Sequence, residues 1–91
     1  MDIYSQAISQ IIKQQELIIG PLALNQAKVI SGLDIISDSD IKIKGDGKAV
    51  LENLVKQYAR LFGQASVEVC KDAVKEIKPP VPSNDLPEIL R

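Results

Sequence analysis

Residues 17–23 read Leu-Ile-Ile-Gly-Pro-Leu-Ala, and this stretch decides how the chain is divided into helices. Before it, apolar residues recur at spacings of three and four over residues 3–19, which is typical of a helix with one apolar face. Gly20 suits the left-handed position that follows a helix, and Pro21 suits the first turn of the next one. We therefore predict a helix over 3–19, a break, and a second helix from Pro21 to about Ile30.

The same pattern recurs around Gly63, 43 residues after the first break. A third helix is predicted to begin after an Asp46 N-cap and to end at Gly63, and a fourth to run over residues 64–78. A glycine follows two bulky apolar residues in both places, so we interpret units 3–31 and 46–77 as an internal duplication, although two amphipathic helices also match in part by chance. The sequence leaves open whether each glycine makes a turn or only a kink.

Residues 33–44, between the two units, are predicted to form a β-hairpin. Residues 41–44 alternate apolar and charged side chains, which is the period of a strand, and residues 33–36 are mostly apolar and partly β-branched. The polar residues 37–40 between them have the composition of a turn. Two strands alone are marginally stable in water, so this hairpin must pack on the helices or pair with another chain.

A proline-rich tail follows the fourth helix. Residues 79–82 read Pro-Pro-Val-Pro, which ends a helix and favours an extended chain, and one last helical turn is predicted over residues 86–90. The apolar side chains of the tail can dock in a groove of a partner or fold over the chain's own core, and the sequence leaves both open. The predicted organisation is one helical domain over 1–78 and a tail over 79–91.

The predicted fold is mainly α, with two helix–glycine–helix units that supply four helices, a short β-hairpin connector and an extended proline-rich tail. Apolar residues make up 45% of the 91 residues, but aromatic residues only 3%. The core must therefore be aliphatic. A domain of this size buries about 60–65% of its unfolded surface, so its core is small.

The charge balance argues against nucleic acid and membrane partners. The formal net charge is −1, whereas binding to nucleic acid or to an anionic membrane draws on an excess of Lys and Arg. No secretory signal is predicted, because residues 1–6 lack a basic start and no long apolar run follows. No segment approaches the ~18–20 apolar residues that cross a bilayer, and the cytoplasm is the expected location.

Residue types that perform catalysis or hold cofactors are sparse. The chain has no histidine and one cysteine, Cys70, which lies on an apolar stripe and is predicted to be buried. Residues 45–48 precede a helix as a phosphate-binding loop does, but Lys42 and Ala49 occupy positions that require glycine and Ser or Thr. The acidic residues within 34–40 lack the spacing of a calcium loop. We predict no catalytic, cofactor or metal site, and therefore no enzyme.

Residues 54–65, 69–74 and 85–90 resemble a small helical domain of unknown function that occurs near the C-terminus of bacterial signalling proteins, among them forkhead-associated and serine/threonine-kinase proteins. The pattern of that domain is a helix ending in an isoleucine-glycine-proline-type break, a second apolar helix and a short terminal helix. Residues 19–23 match the break, whereas Gln64 departs from it in the second unit. The resemblance implies an interaction module in signalling and implies nothing about catalysis.

The supply of apolar residues favours protein–protein interaction as the function. A small monomer has difficulty burying the large side chains of the hairpin and of the second predicted helix, which is apolar on more than one face, whereas a two-fold dimer covers them. We therefore predict a homodimer, or binding to another protein. The candidate interface residues are Ile35, Ile36, Ile41, Ile43, Leu86, Ile89 and Leu90. The alternative function is binding of an apolar small molecule between the helices.

Overall fold

The computed structural model describes residues 2–91. In chain order, this part contains α1 (Ile3–Ile19), α2 (Leu22–Ala27), β1 (Leu33–Ser37), β2 (Asp40–Ile43), α3 (Gly47–Phe62) and α4 (Gln64–Lys75). Two short 3-10 turns, Ser83–Asp85 and Glu88–Leu90, follow in the tail. The predicted class is confirmed at this level, since the described chain is mainly helical, with four α-helices and a small antiparallel hairpin.

An aspartate begins each of the two long helices. The Asp2 side chain accepts a hydrogen bond from the Ser5 N–H at 2.8 Å, and the Asp46 side chain accepts one from the Lys48 N–H at 3.0 Å. Each carboxylate satisfies a donor that the first turn of a helix leaves unpaired, and its charge is favourable beside the helix N-terminus. The predicted Asp46 cap is confirmed.

Gly20 and Gly63 each end one helix and lead into the next. Their φ angles are 64° and 82°, in the region that residues with a Cβ rarely adopt. The N–H of each glycine donates to the carbonyl four residues earlier, and its carbonyl accepts from the N–H three residues later. The question that the sequence left open is thereby decided, because each glycine separates two helices and neither is a kink within one.

The second helix of each unit is shorter than predicted. α2 ends at Ala27 and not near Ile30, because the N–H groups of Val29 and Ile30 bond carbonyls three residues back. α4 ends at Lys75 rather than at residue 78, with the same change of bonding before the proline run. Such tight turns are common where a helix stops, and the β-branched side chains at 29 and 30 weaken its continuation.

The core is built from matching positions of α1 and α3. The buried apolar residues of α1 are Ala7, Ile8, Ile11 and Ile12, and those of α3 are Val50, Leu51, Leu54 and Val55. Each residue of the second set lies 43 positions after its counterpart, which is the separation of the two glycines. Full burial of one large aliphatic side chain contributes about 1.5–3 kcal/mol. The correspondence supports the predicted duplication, which stays a prediction.

Two buried polar side chains cross between the units at equivalent positions. The Tyr58 hydroxyl of α3 donates to the Ala23 carbonyl of α2 at 2.6 Å. The Gln15 amide of α1 donates to the Ser66 carbonyl of α4 at 3.1 Å. Tyr58 and Ser66 lie 43 positions after Gln15 and Ala23, so each unit reaches the second helix of the other from the same position. These two hydrogen bonds join the units in both directions, at positions that correspond in the predicted duplication.

The hairpin lays one face on the helices. Its inner face carries Leu33, Ile35, Ile41 and Ile43, which the antiparallel register pairs across the two strands. The Ser9 hydroxyl donates to the Asp38 carbonyl and ties the turn of the hairpin to α1. The pairing register shifts between Ile35 and Ser37, and the intervening Ile36 is exposed. Packing on the helices therefore supplies the support that two strands alone lack.

The tail folds back on α4, and within its proline run Pro82 has an extended backbone (φ −59°, ψ 142°). Leu86 and Leu90 are 9% and 5% exposed and belong to the same apolar core as the helices. The Lys48 ammonium donates to the Asn84 carbonyl at 3.0 Å, and the Arg91 guanidinium donates to two further tail carbonyls. Of the two alternatives, docking on the chain's own core is the one observed, because it buries leucines that an extended tail would leave in water.

Removal of the Tyr58 hydroxyl tests the crossed hydrogen bonds. We expect Tyr58→Phe to lower the free energy of unfolding by about 1–2 kcal/mol, because the buried Ala23 carbonyl loses a partner. Tyr4→Phe is the matched control, since Tyr4 is half-buried and its hydroxyl has no hydrogen bond among the described residues. Urea unfolding followed by circular dichroism measures both variants. Equal stability of the two would contradict a stabilising role for this bond.

Truncation of a tail leucine tests whether the tail is part of the core. We expect Leu90→Ala to lower the free energy of unfolding by about 2–3 kcal/mol, because it leaves a cavity at a buried site. Ile36→Ala removes aliphatic carbons from a side chain that is 72% exposed and should cost less than about 0.5 kcal/mol. The same unfolding measurement applies, and a Leu90→Ala variant as stable as Ile36→Ala would show that the tail is not docked.

Candidate interaction surface

The apolar stripes of α1 and α3 both continue beyond the part of the core that covers them. Ile11 of α1 is fully buried, whereas Ile18, seven residues later on the same helix face, is 63% exposed. Leu54 of α3 is fully buried, whereas Leu61, again seven residues later, is 44% exposed. Ile18 thus lies on the apolar face that the sequence predicted, but neighbouring elements leave most of it uncovered.

Exposed apolar side chains concentrate near the two glycine breaks. Among the described residues, the large apolar side chains that are exposed are Leu17, Ile18, Leu22, Val29, Ile36 and Leu61. Four of these six lie within three residues of Gly20 or Gly63. We name these four residues, Leu17, Ile18, Leu22 and Leu61, together with the hollow beside them, the glycine-end surface. Clustered exposed apolar residues of this kind mark interaction sites.

An open apolar hollow of about 210 Å³ joins the ends of the two units. Its apolar walls are Ile18 and Ile19 from α1, Phe62 from α3, and Ala65 and Val69 from α4. Since Ile19 precedes one glycine and Phe62 precedes the other, both breaks lie at the same end of the molecule. Gln15 and Ser66 also line the hollow, and their polar atoms bond one another at 3.1 Å. The hollow therefore suits an apolar occupant.

Two carboxyl groups share a hydrogen bond beside this surface. Glu16 precedes Leu17 on α1, and Asp38 lies in the hairpin turn. The pKa of Glu16 is raised, first by its hydrogen bond to Asp38, then by partial burial and by the negative charge of Asp38. The bond to Glu16 lowers the pKa of Asp38. Lys13 also faces the pair and offsets part of its negative charge. A hydrogen bond between two carboxyl groups requires one of them to be protonated, and the directions of the two pKa shifts assign that proton to Glu16.

Cys70 lies in the core beneath the hollow's polar residues. Burial raises the pKa of the Cys70 thiol to about 11, and a hydrogen bond from the Gln15 amide, 3.5 Å from the sulfur, offsets part of this effect. A thiol with this pKa is protonated at neutral pH, and only the thiolate is a good nucleophile. The predicted burial of Cys70 is confirmed, and its environment is that of a small packing residue.

The residues predicted as an interface are mostly covered by the chain itself. Ile41, Leu86 and Leu90 are buried, and Ile35, Ile43 and Ile89 are half-buried against the same core. Ile36 is the one member of the set that is mostly exposed, at 72%. A role of these seven residues between copies stays a prediction, but six of them already have apolar neighbours within the chain. The sequence feature that indicates the glycine-end surface is the pair of bulky apolar residues before each glycine. Periodicity by itself assigns these residues to the buried faces of the helices.

Other depressions of the described surface include charged residues in their walls, although the one between α4 and the tail is otherwise apolar. One depression, of about 310 Å³ between the start of α3 and the tail, is lined by residues of both signs, including Lys48, Glu52 and Arg91. In residues 2–91, no three His, Cys, Asp or Glu side chains lie close enough together to hold a metal ion. Over that range, none of the helices combines the length and the apolar character that crossing a membrane requires.

Comparison with known proteins returns no match, whether against protein-family models, curated proteins or solved structures. The resemblance to the small helical domain of bacterial signalling proteins therefore stays a prediction that rests on the quoted residues. The function must be argued from the chain's own surface.

The Glu16–Asp38 bond makes the docking of the hairpin turn depend on pH. Because the folded-state pKa of Glu16 is raised, its contribution is full in acid and is lost as the pH rises through that pKa. Because the pKa of Asp38 is lowered, its contribution is present above the ordinary Asp value and is lost as the pH falls through the folded value. We expect the bond to be strongest between these two pKa values.

A titration of the side-chain carboxyl carbons by NMR measures both pKa values. In Asp38→Ala the pKa of Glu16 should fall toward its ordinary value of 4.5, whereas Asp72→Ala, on an exposed part of α4, should leave it unchanged. A Glu16 titration that is the same in Asp38→Ala as in the wild-type protein would show that the two carboxyl groups do not interact.

We expect the Cys70 thiol to resist alkylation while the protein is folded. With a pKa of about 11, only about one thiol in a thousand is ionised at pH 8, and burial also blocks access to the sulfur. Iodoacetamide labelling followed by mass spectrometry should give little product in buffer and complete labelling in urea. Rapid labelling of the folded protein would contradict the buried position.

Proposed function

We propose that this protein is a non-catalytic interaction module that associates with a second copy of itself through the glycine-end surface. The observation that carries the proposal is the uncovered end of both apolar stripes, where Ile18 and Leu61 are 63% and 44% exposed. Burial of apolar surface is the main driving force for association. Apolar side chains that one chain leaves exposed are therefore favourably buried against a second chain.

The chemistry of the chain supports binding rather than catalysis. It has no histidine, and its single thiol is buried and protonated at neutral pH. The net charge of −1 supplies no attraction for nucleic acid or anionic lipid. A role in bacterial signalling, which the resemblance implies, and a cytoplasmic location are part of the proposal.

The alternative, binding of an apolar small molecule, is less favoured by the dimensions of the hollow. Pockets for small-molecule ligands usually measure about 300–1,000 Å³ and enclose most of the ligand. The hollow between Ile18 and Val69 measures about 210 Å³ and is open to solvent. A space of this size and shape suits a side chain presented by another protein better than a separate ligand.

Removal of the two exposed stripe residues tests the proposal. We expect light scattering to show a mass that rises with concentration from the monomer value of 9.9 kDa for the wild-type chain. The double variant Ile18→Ser, Leu61→Ser should stay monomeric over the same concentrations, because it removes the apolar contact. Both side chains are exposed, so each substitution should change the free energy of unfolding by only about 0.5 kcal/mol.

Ile36→Ser and Val29→Ser are the matched controls, because both side chains are exposed and lie away from the glycine breaks in the sequence. These variants should associate as the wild-type chain does. If Ile36→Ser disperses the dimer and the double variant does not, the interface is the outer face of the hairpin. A wild-type chain that remains monomeric at every concentration would refute self-association.

A further inference from the structure

In the predicted duplication, residues 43 positions apart correspond, so the two sides of the glycine-end surface can be compared position by position. Ala65 and Gln15 line the hollow where α4 meets α1. The equivalent positions on the other side, 43 residues away in each case, carry the larger side chains of Leu22 and Tyr58. The chain thus presents a leucine that is 41% exposed at one side, whereas the other side has an alanine and an open hollow.

The small side chain of Ala65 indicates which kind of group the hollow can accept. Where Leu22 carries an isobutyl group, Ala65 carries only a methyl group, and the open space of about 210 Å³ beside it accommodates a branched aliphatic side chain. The neighbouring walls Ile19, Phe62 and Val69 are apolar, and interiors are most stable when such gaps are filled with apolar atoms. The occupant is therefore an aliphatic side chain.

We propose that Ile18 of a second copy fills this hollow, so that two copies close on each other about a two-fold axis. Ile18 stands on the rim of the hollow and is 63% exposed. In a two-fold interface each surface meets itself, so a side chain that projects beside its own hollow enters the hollow of the partner, and the partner's enters in return. This inference rests on the proposed function and adds the residue that enters and the cavity that receives it.

The charges at the rim also suit a second copy. Glu16, with Asp38, makes the α1 side acidic, whereas the exposed Arg60 makes the α3 side basic. A copy related by a two-fold axis can place the acidic side of one chain against the basic side of the other, which favours pairing and its register. An unrelated apolar partner would have to supply this pattern separately.

The dimensions of the molecule set the expected strength of the dimer. The Cα atoms span 28 × 25 × 20 Å, so one face projects at most roughly 700 Å², just below the roughly 800 Å² per partner of a standard interface. We therefore expect a reversible dimer with a dissociation constant in about the micromolar range, since small interfaces sit at the weak end of specific complexes.

Ala65→Leu tests the inference by filling the hollow from within while the surface stays apolar. We expect the dimer dissociation constant, from sedimentation equilibrium over a concentration series, to rise at least about tenfold, because the partner's Ile18 loses its cavity. Ala49→Leu is the matched control. It adds the same group to an exposed alanine in the first turn of α3 and should leave the dissociation constant unchanged.

A second measurement observes the contact directly. In a mixture of methyl-labelled and unlabelled chains, a filtered NMR experiment should show a contact between the Ile18 methyl groups of one copy and the methyl groups of Ala65 or Val69 of the other. A dimer without this contact would overturn the inference.

The outcomes separate the inference from the proposed function. If Ala65→Leu dimerises as tightly as Ala49→Leu while the double variant at Ile18 and Leu61 is dispersed, insertion into the hollow is overturned and self-association through this surface stands. If the double variant also dimerises, or if the wild-type chain is monomeric throughout, both are overturned. If Ala65→Leu weakens the dimer and Ala49→Leu does not, the result supports insertion of Ile18 into the hollow.

Discussion

The crossed packing of the two units is the constraint on which the rest of the structure depends. The aliphatic stripes of α1 and α3 are buried between the two units, with α4 packed against both of these helices. Tyr58 and Gln15 complete this arrangement, since each buries a polar group that must find its partner in the opposite unit. A shift of one unit against the other would leave both groups unpaired, and this penalty defines the relative position of the units.

The hairpin and the tail act as covers for this small bundle. The hairpin lays Leu33 and Ile41 on it, and the tail returns Leu86 and Leu90 to α4. In a chain of 91 residues these covers are a large fraction of the structure, because a small domain has too few residues to surround its core with helices alone. Neither of them contributes a residue to the walls of the hollow at the end where the two glycines lie.

The glycine-end surface on which the proposed function depends is a consequence of how the helices pack. The apolar stripe of a helix extends to the end of that helix, whereas the elements that pack against the stripe can end earlier. At Ile18 and Leu61 the packed elements end first, so these two side chains are exposed. The packing of the two units places both uncovered ends together, beside the open hollow that Ala65 lines. Association through such a surface requires no catalytic group, which agrees with the residue types of the chain.

The sequence by itself determined the local structure of this protein. The helix over 3–19, the breaks at Gly20 and Gly63, and the hairpin within 33–44 follow from periodicity and backbone preference, which act between residues close in the chain. Only the tertiary structure decided which apolar residues are covered. Ile11 and Ile18 share a residue type and a helix face, yet one is fully buried and the other 63% exposed. The physical reason is that burial depends on elements distant in sequence, such as α4 against α1, and no local pattern encodes where those elements stop.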